Sequence, residues 1–97
     1  MSVAEIVLRP LLPQRISHVS NLEQAASAFP WTKKMYADSL DAGYWGGTLC
    51  QGTQLLGVAV VSSAVGESHL LNMFIALGRQ GQGFGRLLLK GACQHAY

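Results

Sequence analysis

Apolar residues recur along the chain with two different spacings, and each spacing predicts a different kind of element. Apolar residues lie three or four positions apart, the spacing of one face of a helix, at Leu12, Ile16, Val19 and Leu22. Pro13 suits the first turn of that helix because its missing N–H costs nothing there. Residues 55–61, by contrast, form an almost continuous apolar run with the length of a buried strand. The chain therefore alternates between helices and strands, which predicts an α/β protein.

Capping and turn residues place the ends of the remaining elements. Thr32 can cap a second helix, and Asp41-Ala42-Gly43 can end it. The glycine pair Gly46-Gly47 lies inside the strand predicted at 44–50, where it weakens the strand pattern and indicates a bulge. Three consecutive strands with short turns predict an antiparallel meander. The predicted elements are a strand at 5–9, a helix from Pro13 with Ala25 and Ala26 on its buried side, a helix after Thr32, strands at 44–50, 55–61 and 69–75, a glycine-rich loop, and a helix that begins at Gly83 or Gly85.

A glycine-rich segment, Arg79-Gln80-Gly81-Gln82-Gly83-Phe84-Gly85-Arg86, lies between the last predicted strand and the last predicted helix. A helix N-terminus offers unpaired backbone N–H groups and the positive end of the helix dipole, so it suits a phosphate group. Glycines let an anion approach the backbone and let a turn adopt positive φ. Arg79 and Arg86 can add charge-assisted hydrogen bonds. The segment is therefore a candidate phosphate-binding loop.

Two well-known phosphate-binding motifs do not match this loop, and a third one does. It lacks the Gly-Lys-Ser/Thr ending of a Walker loop, and its glycines do not have the Gly-x-Gly-x-x-Gly spacing of a dinucleotide-binding loop. It does match Gln/Arg-x-x-Gly-x-Gly/Ala through Gln80, Gly83 and Gly85. Because short glycine motifs also arise by chance, the alternative interpretation is a turn that only joins a strand to a helix.

Composition narrows the possible functions. The 97 residues fit one domain, and their hydrophobic fraction of 49% is that of a globular protein. The net charge of +2, without clustered Lys and Arg, argues against a nucleic-acid surface. Cys50 and Cys93 are far apart, with no His at zinc-ligand spacing, so we expect reduced cysteines and no metal site. The sequence has no pattern of a signal peptide or membrane span, so we expect a cytoplasmic protein without a membrane partner.

Two motifs in the right order carry a family resemblance. The Gln80-x-x-Gly83-x-Gly85 loop resembles the pyrophosphate loop of the GNAT acetyltransferases. Ala28-Phe29-Pro30-Trp31-Thr32 resembles the Phe-Pro-Trp-Ser/Thr signature of the RimI branch, which acetylates the N-terminal alanine of a ribosomal protein. The resemblance implies an α/β GNAT fold with a mixed, mainly antiparallel sheet and flanking helices. It also implies that residues 1–97 are one partial domain, equivalent to about the N-terminal two-thirds of a complete one.

The resemblance further implies acetyl-CoA as the cosubstrate and identifies the residues that would bind it. The pantetheine arm is expected along the strand before the loop, at Met73, Phe74 and Ile75. Gly81 stands where relatives usually carry a basic residue, so we expect weaker phosphate binding than is usual in the family. The pyrophosphate is expected in the loop, at Gly81, Gln82, Gly83, Phe84, Gly85 and Arg86.

The catalytic residues are unknown from the sequence. In RimI relatives the general base and the general acid lie in a part of the domain that would follow Tyr97. Glu67 and His69 are conceivable bases near the cofactor strand, although a turn carboxylate and a surface histidine are the preferred interpretations. His18 is expected to face solvent.

The acceptor implied by the resemblance is the N-terminal α-amine of a ribosomal protein. Phe29, Trp31 and Tyr36 either line a groove for that peptide or belong to the core. The alternatives are a truncated CoA-binding module without turnover, a GNAT enzyme for another amine, and an unrelated α/β domain that acts through protein contacts. Residues 70–75 would form an apolar, unpaired strand edge. This edge predicts self-association, an exchange of elements between copies, or a longer chain that covers it.

Overall fold

The computed structural model describes residues 5–64 and 67–96. In these ranges it contains four strands and three α-helices in the predicted order. No helix in them has the length and apolar character required to cross a membrane. The bounds are β1 Ile6–Pro10, α1 Ile16–Ala26, α2 Lys33–Asp41, β2 Trp45–Gln51, β3 Gln54–Ala64, β4 Glu67–Ile75 and α3 Phe84–Ala96, with a 3-10 turn at Pro13–Arg15 before α1.

Local sequence signals determine where the two N-terminal helices begin and end. The Thr32 hydroxyl accepts a hydrogen bond from the Met35 backbone N–H at 3.2 Å, which caps α2 as predicted. Gly43 follows that helix with φ +83°, a conformation that favours glycine. Pro13 begins the 3-10 turn rather than the α-helix itself, so α1 begins at Ile16.

Helix α1 buries a narrow face that includes polar side chains. Ile16, Val19, Ser20 and Glu23 are its buried residues, and they recur at three- and four-residue spacing. The prediction that Ala25 lies on this face was wrong, because Ala25 is exposed on another side of the helix. The buried face also includes Glu23, a residue type that is rarely buried and that the apolar pattern does not predict there.

The four strands form one antiparallel sheet in the order β1-β2-β3-β4. Two register shifts interrupt it, and they leave Leu56 of β3 and Leu71 of β4 as extra residues. The predicted bulge at Gly46-Gly47 was wrong, because both glycines pair in regular register with β3. The missing side chain serves packing instead, since a Cβ on Gly47 would collide with the Trp45 ring.

Each face of the sheet carries its own core. Helices α1 and α2 cover one face, where Val58, Val60 and Phe74 contact Val19 and Tyr36. Helix α3 covers the other face, where the buried members are Leu49, Leu56, Ala59, Val61, Leu88 and Ala92. Every residue of β3 from 56 to 60 is buried, so β3 is the centre of both cores.

Two glycines allow α3 to lie close to its face of the sheet. A Cβ on Gly57 would lie 2.7 Å from the Ile75 side chain and 3.0 Å from the Phe74 carbonyl oxygen. A Cβ on Gly91 would lie 2.5 Å from the Leu8 side chain. Because such distances are below van der Waals contact, neither position can hold a larger residue without movement. This close approach positions the start of α3 beside the end of β4.

Candidate functional site

The glycine-rich loop joins the end of β4 to the start of α3. The Ala76 backbone N–H donates to the Leu56 carbonyl at 2.8 Å, which holds the beginning of the loop against β3. Gly78, Gly81 and Gly83 then adopt φ of +86°, +79° and +83°. No atom lies within 4 Å of a Cβ built on any of the three, so their positions face open space. The glycines are therefore required by the backbone conformation and leave room for a ligand.

The first turn of α3 presents backbone amides to this open space. The first helical hydrogen bond runs from the Leu87 N–H to the Gly83 carbonyl at 3.3 Å. The preceding amides, those of Phe84, Gly85 and Arg86, have no acceptor within the described part of the chain. The Phe84 side chain packs against the α3 core and keeps this turn in place. Unpaired amides and the positive end of a helix dipole are features that suit an anion.

The two arginines that flank the loop have different surroundings. The Arg79 guanidinium donates to the Gln54 side-chain oxygen, which ties the loop to the start of β3. Arg86 is exposed, and the described residues place no carboxylate within ion-pair distance of it. Arg86 is therefore the guanidinium that is available to a bound anion.

Two glutamine side chains brace the loop from within. The Gln80 amide donates to the Ile75 carbonyl at 3.2 Å, and the Gln82 amide donates to the Gly78 carbonyl at 3.3 Å. Both bonds satisfy carbonyl groups at the loop's own base, so they stabilise the turn without occupying the space above the glycines. Gln80, matched in sequence to a family motif, therefore has a structural role in this loop.

The three residues predicted to meet the pantetheine arm lie at the end of β4. The Phe74 side chain is 5% exposed in the core under α1 and α2, whereas Met73 and Ile75 pack toward α3. The Phe74 side chain is thus unavailable to a ligand, whereas those of Met73 and Ile75 are only partly buried. The extra residue Leu71 lies just before them, and such a bulge bends an edge strand.

A buried carboxylate lies behind this strand, on the side of α1 and α2. Glu23 is 1% exposed and accepts a hydrogen bond from the Tyr36 hydroxyl at 2.5 Å and from the Asn72 amide at 2.9 Å. It also accepts from the Trp31 backbone N–H at 3.2 Å, and the Ser20 hydroxyl donates to the Trp31 carbonyl at 3.2 Å. These four hydrogen bonds join α1, α2, the loop between them and β4.

Sequence reasoning missed this network. The available signal was the position of Glu23 at helical spacing from the apolar residues Ile16 and Val19, which places a carboxylate on a buried face. Its partner Asn72 lies 49 residues away in sequence, so no local pattern could identify the pair.

The structure resolves the alternatives for the three aromatic residues of the Phe-Pro-Trp region. Tyr36 is fully buried and belongs to the core, and the half-buried Trp31 ring packs edge-on against it with centroids 5.2 Å apart. Phe29 is 92% exposed and has no part in the core. Only Phe29 therefore remains free to contact another molecule with most of its ring.

The other candidate groups lie on the surface or are inert. Glu67 and His69 are both exposed, and their side chains contact each other at 3.2 Å. His69 is a surface histidine, as expected, whereas Glu67 is the first residue of β4 rather than a turn residue. His18 is exposed, as expected. Cys50 is buried and Cys93 is exposed, and both are free thiols.

Comparisons with known proteins agree with this geometry. No family model matches the chain. The [ribosomal protein bS18]-alanine N-acetyltransferase of Escherichia coli K12 is 33% identical over 70 residues, which make up 72% of this chain and 47% of that protein. The crystal structure of the Escherichia coli ribosomal-protein-S18-alanine N-acetyltransferase matches with a TM-score of 0.86 and 26% identity, over 95% of this chain and 59% of that one. A GNAT family N-acetyltransferase of Escherichia coli, solved in complex with CoA, matches with a TM-score of 0.77 over 99% of this chain and 58% of that one.

The chain belongs to the GNAT superfamily. Its four strands and three helices have the GNAT fold, as the loop and the Phe-Pro-Trp motif predicted. The chain spans about half the length of the curated relatives it matches. The complex with CoA is 16% identical to this GNAT chain, so that likeness concerns the fold alone.

The Glu23 network predicts a distinctive pH dependence of stability. Burial first, and then the hydrogen bond to Glu23 and its charge, raise the pKa of the Tyr36 hydroxyl above its ordinary value of 10.0. The unfolded chain therefore loses this proton first, so the free energy of unfolding holds below about pH 10 and falls above it, by up to about 1.4 kcal/mol per pH unit. Tyr36→Phe should remove that fall and cost roughly 1–3 kcal/mol at neutral pH, because Glu23 loses a donor.

Urea denaturation between about pH 8 and pH 11.5 measures both effects. The matched control is Tyr44→Phe, at a tyrosine that is 37% exposed and lies outside the network. This control should keep the alkaline fall of the parent chain. Parallel stability curves for the parent chain and Tyr36→Phe would contradict the assignment.

Proposed function

We propose that this chain binds acetyl-CoA and takes part in acetyl transfer to the α-amine of a protein N-terminus. The observation that carries the proposal is the juxtaposition of the positive-φ glycines with the unpaired amides that begin α3. These amides and the Arg86 guanidinium would hold the pyrophosphate oxygens. The named activity of the bacterial relatives and the CoA complex of a structural neighbour support this cosubstrate.

The end of β4 would hold the pantetheine arm. Alternate residues of an edge strand point their backbone groups away from the partner strand, so the outward-facing members of Met73, Phe74 and Ile75 offer N–H and C=O groups to an extended amide ligand. Bound acetyl-CoA supplies an activated acetyl thioester. An outward N–H of this segment would donate to the thioester carbonyl oxygen and stabilise the negative charge that develops there.

The loop between α1 and α2 would receive the acceptor. Phe29 supplies an exposed apolar ring there, and Glu23 ties the backbone of Trp31 to Asn72 on β4. Glu23 thus fixes the position of the loop between α1 and α2 relative to β4. The relatives' named activity on ribosomal protein bS18 supports an alanine N-terminus of a ribosomal protein as the acceptor. The reaction would take place in the cytoplasm. No general acid or general base is assigned among the described residues.

The outer edge of β4 would also allow two copies of the chain to associate. Within the described sheet β4 pairs only with β3, and Leu70 and Leu71 are 47% and 39% exposed along it. An apolar edge strand is a template for another strand, so we expect dimers at high protein concentration and their dissociation by CoA. Sedimentation velocity with and without CoA measures this, and a monomer at every concentration would contradict it.

Cosubstrate binding is tested by a pair of matched glycine variants. Gly83→Ala places a Cβ at φ +83° in the loop, and Gly43→Ala places one at the same φ after α2, in equally open space. Both carry a backbone strain of about 1–2 kcal/mol. Only Gly83→Ala should weaken CoA, by roughly tenfold or more in Kd, since its strain falls on the ligand-binding conformation. Calorimetric titration with CoA measures this effect. Equal weakening in both variants, or no binding to the parent chain, would overturn the proposed site.

The acceptor is tested with three synthetic substrates and acetyl-CoA, with products measured by mass spectrometry. The proposal expects acetylation of an alanine-initiated peptide and none of the same peptide with a blocked N-terminus and an internal lysine, because the acceptor is the α-amine. A small polyamine should also remain unmodified. Acetylation of the lysine or the polyamine would assign another acceptor class. CoA binding without any transfer would favour the alternative of a CoA-binding module without turnover.

A further inference from the structure

A second concave surface lies on the face of the sheet that α1 covers, opposite α3. It is a groove of about 470 Å³ between α1 and the strands β1 and β2, and residues of the turn between β2 and β3 also line it. β1 and β4 are the two opposite edges of the sheet, so the groove is remote from the strand proposed to hold pantetheine. We call it the basic groove, with Arg9, Arg15, His18, Thr48 and Thr53 as its polar lining.

The basic groove concentrates positive charge without a counterion. Arg9, Arg15 and His18 come from β1, the 3-10 turn and α1, and all three reach the groove. The chain has five acidic residues, all of them in the described ranges, and none lines the groove. None of them lies within ion-pair distance of either arginine. Two guanidinium groups that share a concavity without a carboxylate repel each other unless an anion binds between them.

The other residues that line the basic groove indicate which kind of anion would fit it. The Thr48 hydroxyl donates to the Arg9 carbonyl at 3.2 Å, which holds this hydroxyl at the floor beside the charged groups. Leu12, Val19 and Leu55 supply apolar wall. A volume of this size is that of a small-molecule site and is far larger than one inorganic ion needs.

We propose that the basic groove binds a small organic phosphate monoester. The two guanidinium groups would bind the phosphate dianion through paired N–H donors, which match its oxygens in geometry and charge. The apolar wall would cover the organic part. The site is independent of the acetyl-CoA proposal, because it uses no residue of β4, of the glycine loop or of α3.

The test is a titration of the isotope-labelled 97-residue chain with phenyl phosphate, followed by two-dimensional amide NMR. Saturable shifts are expected at Arg9, Thr48 and Thr53. Arg9→Gln and Arg15→Gln should each weaken this binding by roughly tenfold, since each removes a charge-assisted pair of hydrogen bonds. The matched control Lys33→Gln removes the same charge from an exposed residue of α2 and should leave the Kd unchanged.

Two further arms separate this site from the glycine loop and from nonspecific binding. Saturating CoA should abolish any phenyl phosphate shifts at residues 78–86 and leave those in the basic groove. Benzyl alcohol, which has a similar ring without charge, should bind at least tenfold more weakly. Shifts confined to the glycine loop, equal weakening by Arg15→Gln and Lys33→Gln, or equal binding of benzyl alcohol would overturn the proposal.

Discussion

The burial of β3 on both faces is the constraint on which the rest of the structure depends. Its side chains alternate between the core under α1 and α2 and the core under α3, so both helical layers must pack against the same strand. Gly57 meets this requirement where β3, β4 and α3 converge, because any side chain there would collide with the backbone of Phe74. Core packing thus determines where the glycine loop lies. The loop itself contributes the backbone conformation and the unpaired amides of the candidate site.

The buried Glu23 carboxylate connects this scaffold to the opposite side of the candidate site. A carboxylate that is 1% exposed is tolerated only when donors surround it, and here Tyr36, Asn72 and the Trp31 backbone provide them. Each donor belongs to a different element. The main effect of the network is therefore to specify how α2 and the Phe29–Trp31 loop lie against β4. Its contribution to the free energy of unfolding is secondary, because burying a carboxylate is itself costly.

The sequence was informative wherever the determining interaction is local. Thr32 as a cap, Gly43 as a helix end and the positive φ of Gly81 and Gly83 depend on neighbouring residues, and the structure agrees with these predictions. Gly85 differs, because it lies in α3 without a positive φ. The order of elements followed from such signals. Family resemblance, rather than periodicity, identified the GNAT fold and the candidate cofactor residues.

The features that sequence reasoning missed depend on long-range contacts. The network of Glu23 and Asn72 joins residues 49 positions apart, and the two bulges arise from strand register. Gly46 and Gly47 have the sequence pattern of a bulge, yet their role is in packing. A Cβ on Gly47 would collide with the Trp45 ring, and a Cβ on Gly46 would crowd neighbouring side chains. The basic groove brings Arg9 and Arg15 together with the β2–β3 turn, which only the folded sheet places nearby.

A crystal structure of the chain with CoA tests the central claim most directly. The account predicts pyrophosphate oxygens within hydrogen-bond distance of the amides of Phe84, Gly85 and Arg86, with the pantetheine arm along the outer edge of β4. CoA bound elsewhere on the surface, with its pyrophosphate in the basic groove for example, would contradict it. So would a glycine loop that stays empty at saturating CoA.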